Sequence, residues 1–117
     1  MSDSAAPRYS PTAPDRSTID ATPGPMLLQF GVNWCGHCVA AEPAIVQALQ
    51  AYPQLQHVCI EDGPGRPLGR SFKIKLWPTL VLVQDGQELA RLVRPTQVQS
   101  VQDFLTFSAA AQPPESI

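Results

Sequence analysis

The segment Trp34-Cys35-Gly36-His37-Cys38 decides the fold of this chain, because two residues separate its two cysteines. An apolar run over residues 26–32 precedes the segment, and a pattern of helical period follows it. This order predicts a strand, a turn and the beginning of a helix. A Cys-x-x-Cys pair in that setting is typical of a redox couple rather than of a structural motif.

Cys35 is the predicted nucleophile of the pair. It lies in the first turn of the predicted helix, where unpaired backbone N–H groups and the positive end of the helix dipole favour a thiolate. Cys38 lies on the same helix face one turn later, so a disulfide between the two requires only a modest closure. We therefore expect Cys35 to attack a substrate disulfide and Cys38 to resolve the resulting mixed disulfide.

Length, charge and cysteine content limit the possible classes of protein. The chain has 117 residues, which allows one domain. Its formal charge of −2 gives no reason to expect nucleic acid or an acidic membrane surface as a partner. Three cysteines are too few for a disulfide-stapled secreted scaffold. We see neither a secretory signal nor a stretch of transmembrane length, and therefore expect no membrane contact and a cytoplasmic location.

Proline content divides the chain into three parts. Residues 1–24 form a Pro-rich segment that is predicted to be largely extended or disordered, because it contains few large apolar side chains. Within it we expect disorder over 1–7, an extended run over 8–12 and a short helix over 15–21, capped by Asp15 or Ser17. The folded domain is predicted over residues 25–110 and a loose tail over 111–117.

The periodicities predict an α/β domain. Residues 26–32 and 55–61 read as parallel strands, and residues 79–84 and 88–93 as an antiparallel pair joined by the turn Asp85-Gly86. The cysteine pair then lies at the carboxyl end of an inner strand, where such sheets usually have their sites.

Helices are predicted between and after these strands. One runs from 35 to 51 with Pro43 inside it, one from 67 to 72 with Pro67 at its first position, and one begins at Thr96 with Gln99 completing a capping box. The domain is therefore a central mixed β-sheet flanked by helices on both faces.

Four features together resemble the thioredoxin family over about residues 26–107. They are the Trp34–Cys38 segment, Pro43 five residues beyond it, Trp77-Pro78-Thr79 before an apolar strand, and the Asp85-Gly86 hairpin. The resemblance implies a thioredoxin fold and a thiol–disulfide exchange activity.

The resemblance also implies what binds at the site. It implies a cis peptide bond between Trp77 and Pro78, and a substrate-binding role for Trp77, Pro78 and Thr79, with the backbone before the proline pairing with an extended substrate. No cofactor is implied. The expected partners are disulfide-containing proteins and a thiol reductant such as a thioredoxin reductase or glutathione, and a monomer is expected.

His37 distinguishes this site from the commonest thioredoxin pair, which has proline there. Cys-Gly-His-Cys resembles the active sites of protein disulfide isomerase, and we expect Trp34, Gly36 and His37 to modulate the cysteines. An imidazole that stabilises the Cys35 thiolate makes the couple more oxidising, so we expect a reduction potential between about −270 and about −180 mV. The alternative is that His37 is an exposed turn residue without consequence.

Two positions depart from the thioredoxin pattern behind the cysteines. Gln29 stands where many thioredoxins have a buried aspartate, and Cys59 replaces the usual lysine on the next strand. The base for Cys38 must then be water, His37 or Glu61. Cys59 itself is more often a small buried residue than a third redox thiol.

The sequence beside the expected substrate groove also departs from the thioredoxin pattern. Arg94-Pro95 stands where thioredoxins usually have a glycine, so we expect a narrower, more basic groove and a restricted substrate range. Most Lys and Arg residues lie between residues 66 and 94 and are interpreted either as neighbours of the cysteines or, more simply, as a solvated surface. Trp34 and Trp77 are expected to form an apolar rim that receives substrate.

Two other functions remain open at this point. Cys35, Cys38, His57 and Cys59 are a possible zinc ligand set. We expect no metal, because His57 and Cys59 point to the same side of a strand and the first cysteine pair opens a helix beside a proline turn, which suits exchange chemistry better. The other possibility is a non-catalytic module that binds peptides in the groove, but a binder needs neither thiol.

Overall fold

The structure is a computed structural model that describes residues 9–107. In chain order its elements are helix α1 (Arg16–Ala21), strand β1 (Pro25–Gly31), helix α2 (Gly36–Leu49), strand β2 (Gln56–Glu61), helix α3 (Pro67–Ser71), strand β3 (Thr79–Gln84), strand β4 (Gln87–Val93) and helix α4 (Val98–Leu105). The predicted α/β class is confirmed. The expectations for residues 1–7 and 111–117 lie outside the described residues.

One mixed sheet with strand order β2-β1-β3-β4 forms the centre of the fold. Strand β1 is parallel to β2, and β3 is antiparallel to β4, as the sequence predicted. Strand β1 is also antiparallel to β3, which the sequence did not predict. The two inner strands are almost wholly buried, which explains why they are apolar on both faces. Asp85 and Gly86 have positive φ angles of 51° and 83° in the predicted tight turn.

Helices cover both faces of the sheet, because successive side chains of an inner strand point to opposite faces. In β3, Leu80 and Leu82 pack against α2 and α4, whereas Val81 and Val83 pack against α1 and α3. Each face therefore has its own apolar core, and β1 contributes to both.

Helix α2 begins one residue later than predicted and ends two residues earlier. Cys35 is its N-cap, with extended φ and ψ angles of −84° and 124°, rather than a residue of its first turn. The Cys35 N–H donates to the Val32 carbonyl, and the Cys35 carbonyl accepts from Val39, so the chain turns at this residue into the helix. Pro43 lies inside the helix, as expected.

The capping box predicted at Thr96 is wrong. Helix α4 begins at Val98 with Gln97 as its N-cap, and no side chain caps it. The backbone carbonyl of Gln97 accepts the first helical N–H groups, and the Gln99 side chain donates to Asp103 one turn later. Gln99 is therefore the second residue of the helix, and its side chain pairs forward along the helix instead of back to its start.

The N-terminal segment packs against the domain from residue 9 onward. Ser10 forms a parallel bridge with Ile60 on the free side of β2, so the chain pairs with the sheet at one residue of the expected extended run. Tyr9 and Ile19 are buried. Asp15 is the N-cap of α1, although its side chain makes no capping hydrogen bond. Within residues 9–107, no helix is long and apolar enough to cross a membrane.

Candidate active site

The two cysteines lie where β1 ends and α2 begins. Both are free thiols, and both are buried, with Cys35 9% and Cys38 3% exposed. Gly31 and Val32 lead from the strand into this turn, and Cys38 packs with Tyr9 and Val32 beneath it. A reagent therefore reaches Cys35 first, and Cys38 lies one helical turn deeper.

Cys35 has a pKa lowered from the ordinary value of a thiol. Burial opposes ionisation, but the backbone of Cys38, the Cys38 thiol and the backbone of His37 donate hydrogen bonds to the Cys35 sulfur, and the Arg94 charge adds to them. Together these groups outweigh the burial, because hydrogen bonds to the charged form favour it. The N-cap position supplies the N–H groups, which a helix start leaves unpaired.

Cys38 has the opposite character. Burial and the neighbouring Cys35 side chain together raise the pKa of Cys38 to about 11, although hydrogen bonds from Val32 and Tyr9 act in the other direction. The environment thus lowers the pKa of one thiol and raises the pKa of the other, so Cys35 ionises more readily than Cys38. When two thiols of one site differ in pKa in this way, one can act as the nucleophile and the other as the resolving thiol.

An aromatic pair forms the rim beside Cys35. Trp34 is 78% exposed, and its ring meets Trp77 edge to face at a centroid distance of 5.9 Å. The Trp77 indole N–H donates to Asp62 over 2.8 Å, which fixes the ring. The structure therefore places both tryptophans where an apolar rim was expected.

The backbone after Trp77 turns through a cis peptide bond to Pro78. Thr79 follows, but its side chain is buried and donates to the Leu76 carbonyl. Of the three residues expected to bind substrate, Trp77 and Pro78 lie at the turn, whereas the Thr79 side chain faces the protein.

Arg94 lies against the same turn. Its backbone adopts the left-handed region, with φ of 53°, where glycine is favoured. Its Nε donates to the Trp77 carbonyl over 2.8 Å, and its backbone N–H donates to the Pro78 carbonyl. The interpretation of the basic residues as a plain solvated surface does not hold for Arg94, because its charge acts on Cys35.

Other arginines of the described chain have partners elsewhere. Arg66 forms an ion pair with Glu61, and Arg91 with Glu88. Glu61, one of the expected bases for Cys38, is therefore held in an ion pair with Arg66. His37, another of them, approaches Cys35 through its backbone, and its side chain is exposed.

Sequence reasoning missed Tyr9, which lies directly behind Cys38. The Tyr9 hydroxyl forms a hydrogen bond with Cys38 and accepts one from the Gln29 amide over 2.7 Å. Gln29 is fully buried, and its carbonyl oxygen lies 2.8 Å from Nε2 of His57. The only signal in the sequence was one aromatic residue in a proline-rich segment, which carries no periodicity.

The possible zinc ligands do not come together. Cys59 Sγ lies 3.4 Å from His57 Nε2, as expected for residues on one side of β2. Across residues 9–107, however, no group of three or more His, Cys, Asp or Glu side chains is arranged to hold a metal ion.

Comparisons with known proteins agree with this geometry. The family model described as Thioredoxin matches residues 14–106. A thioredoxin-like protein of Synechocystis is 31% identical over 76% of this chain and 87% of its own length, and Thioredoxin Asp f 28 of Aspergillus fumigatus is 27% identical over 74% and 81%. Several other curated relatives are matched over only 49 to 60% of their own length.

A solved structure is more similar still. Thioredoxin 2 from Pseudomonas aeruginosa PAO1, in its reduced form, superposes with a TM-score of 0.77 and is 48% identical. The alignment covers 86% of this chain and 94% of that one. The resemblance therefore includes the strands, the helices and the cysteine turn together.

Proposed function

Because the chain belongs to the thioredoxin family of thiol–disulfide oxidoreductases, we propose that it exchanges disulfides through Cys35 and Cys38. The observation that carries these roles is the opposite shift of the two pKa values, with Cys35 lowered and Cys38 raised. A nucleophile must be a thiolate, and a resolving thiol must stay unreactive until the mixed disulfide forms.

The proposed cycle has two steps. The Cys35 thiolate attacks one sulfur of a substrate disulfide, and the other substrate sulfur leaves with the electron pair and takes up a proton. Cys38 then loses its proton and displaces the substrate from Cys35, which leaves the protein oxidised and the substrate reduced. The reverse sequence oxidises a substrate dithiol.

The rim supports protein disulfides as substrates. Trp34 and Trp77 offer an apolar surface beside Cys35, and the Arg94 side chain covers the Trp77 carbonyl. An extended substrate segment that uses this carbonyl must displace Arg94, which supports a restricted substrate range. Thioredoxins are reduced by thioredoxin reductase, and we propose that this reductase or glutathione recycles the present protein, as a monomer in the cytoplasm.

Insulin reduction tests the proposed function. Dithiothreitol with catalytic amounts of the protein is expected to precipitate the insulin B chain faster than dithiothreitol alone. A non-catalytic binding module gives no acceleration, and that result would contradict the proposal.

The His37→Pro variant tests the isomerase-like character of the site. We expect a lower, more reducing potential, by up to about 90 mV, which is the interval between the thioredoxin and isomerase couples. The reason is that proline removes an imidazole able to stabilise the Cys35 thiolate, and also the backbone N–H of residue 37 that donates to the Cys35 sulfur. Equilibration with glutathione buffers measures the potential.

His37→Ala is the matched control, because it also lacks the imidazole but keeps the backbone N–H that donates to the Cys35 sulfur. It is expected to shift the potential in the same direction. A potential unchanged in both variants would refute the role given to His37.

The Arg94→Gln variant tests the electrostatic part of the site. We expect the pKa of Cys35 to rise and its alkylation by iodoacetamide at neutral pH to slow about two- to fivefold, the size of effect typical of an exposed charge. At a pH above the pKa of Cys35 in both proteins the two rates should converge. The pH dependence of alkylation measures both effects.

Arg94→Lys keeps the charge and should restore most of the rate, whereas Arg70→Gln removes an arginine of helix α3 and should change nothing. Equal rates in Arg94→Gln and the unmodified protein would show that Arg94 does not act on Cys35.

A further inference from the structure

Two hydrogen bonds at Tyr9 join the N-terminal segment to the cysteine turn. The Tyr9 backbone N–H donates to the Asn33 side-chain oxygen over 2.9 Å, and the Asn33 amide donates to the Tyr9 carbonyl over 3.2 Å. Asn33 directly precedes the Trp34–Cys38 segment. The position of Tyr9 is therefore tied to the position of the redox turn.

Gly31 lets the phenol and the Cys38 thiol meet. A Cβ atom at Gly31 would lie 2.7 Å from Cys38 Sγ and 2.7 Å from Tyr9 Cζ, closer than packed atoms approach. The bare backbone at Gly31 thus leaves one space that both side chains occupy. The Tyr9 ring is buried there, in one cluster with Cys35 and Cys38.

The hydrogen bonds around Gln29 fix the direction of the Tyr9 proton. The Gln29 carbonyl oxygen faces His57 Nε2 over 2.8 Å, so its amide nitrogen faces the Tyr9 oxygen over 2.7 Å. An amide NH₂ only donates. The Tyr9 oxygen is therefore the acceptor from Gln29, and its own proton is directed to Cys38.

Burial keeps that proton on the phenol. It raises the pKa of Tyr9 far above its usual value, even though the Gln29 hydrogen bond acts in the other direction. Tyr9 is therefore a hydrogen-bond donor at any pH at which the protein works, and not a base.

We propose that Tyr9, oriented by Gln29 and His57, stabilises the thiolate of Cys38 during resolution of the mixed disulfide. The inference rests on the proposed two-thiol function. It explains how a buried thiol ionises although the neighbouring side chain at position 29 is a neutral amide. A hydrogen-bond donor, Tyr9, stabilises the Cys38 thiolate and takes the place of a base that would accept the Cys38 proton.

In the resolving step Cys38 loses one proton, one disulfide bond forms and one breaks. Cys38 releases its proton to water in the cleft that Tyr9, Asn33, Cys38 and Glu42 line together, and the thiolate accepts the Tyr9 hydrogen bond. The thiolate attacks the Cys35 sulfur, the Cys35–Cys38 bond forms, and the bond from Cys35 to the substrate sulfur breaks. The electron pair leaves with the substrate sulfur, which takes up a proton from solvent.

Other titratable groups face this thiol and share its environment. They are Cys35 at the N-cap of helix α2, Glu42 within that helix, and Cys59 on strand β2, with His57 beside Cys59. A test of Tyr9 must therefore leave these four side chains in place or change them equally in every protein compared.

Tyr9→Phe tests the proposal in a Cys59→Ser background, so that only two thiols react with Ellman's reagent in stopped flow. The first release of thionitrobenzoate reports attack by Cys35, and the second reports resolution by Cys38. We expect the first phase to stay unchanged. The second phase should slow about tenfold at neutral pH, a usual effect of losing a hydrogen bond to a charged group.

The pH profile separates this role from a structural one. The midpoint of the second phase should move up by about one pH unit, which corresponds to the tenfold loss. Tyr52→Phe, a change at the other tyrosine of the chain, should alter neither phase. A second phase with the rate or the midpoint of the parent protein would overturn the proposal. Absence of the first phase in the parent would instead overturn the proposed function.

A second experiment keeps the ring in place in case Tyr9→Phe fails to fold. The Tyr52→Phe protein is produced with 3-fluorotyrosine, which puts a more acidic phenol at Tyr9 alone. A more acidic phenol is a stronger donor to a thiolate, so the second phase should accelerate about twofold with the first unchanged. An unchanged or slower second phase would contradict the role of Tyr9.

Discussion

Cys35→Ser is expected to abolish disulfide reduction, with a loss on the order of a thousandfold or more. The reason is chemical, since a serine hydroxyl stays protonated at neutral pH and forms no disulfide. The hydrogen bonds at the N-cap and the Arg94 charge remain, but they have no thiolate to stabilise. The insulin assay with dithiothreitol measures the loss, after subtraction of the uncatalysed rate.

Cys59→Ser is the matched control, because it replaces the same atom in a thiol outside the proposed cycle. It should retain the rate of the parent protein. If Cys35→Ser retained a tenth of the parent rate, the assignment of the nucleophile would be wrong.

Cys38→Ser is expected to leave the attack intact and to stop the cycle after it. The mixed disulfide at Cys35 then has no neighbour to displace the substrate, so protein that was reduced beforehand should release the reduced substrate on the order of a hundredfold more slowly when no external thiol is present. Incubation with a disulfide-bonded peptide should produce a stable adduct. Intact-mass spectrometry detects the adduct, and peptide mapping locates it.

The adduct should lie at Cys35 and should disappear on addition of dithiothreitol. The parent protein should form little adduct, since Cys38 resolves it. Release of the reduced peptide by pre-reduced Cys38→Ser at the parent rate, in the absence of external thiol, would contradict a two-thiol cycle.

The sequence predicted the features that depend on local pattern. Strand β1 and strand β3 are apolar on both faces, and a strand of that kind is almost always an inner one. The Asp85-Gly86 turn was predictable because its left-handed backbone favours these residues. The cysteine turn was predictable from two thiols that follow a buried strand.

Contacts between distant parts of the chain were not predictable in this way. Tyr9 reaches Cys38 and Gln29 because the extended N-terminal run pairs beside β2, and no local pattern records that pairing. Arg94 was recognised as a departure from glycine, but its hydrogen bond to the Trp77 carbonyl depends on the fold. The capping box at Thr96 failed because Gln99 lies one residue inside the helix and pairs forward.

The central claim is that Cys35 is held as a thiolate by the beginning of helix α2 while Cys38 stays protonated. The pH dependence of iodoacetamide alkylation in the reduced protein, read at each cysteine by peptide mapping, tests this claim most directly. Cys35 should react with a midpoint below that of a free cysteine, about pH 8.5, and Cys38 only at much higher pH. A Cys35 midpoint at or above the free value, or Cys38 as the first thiol to react, would contradict the account.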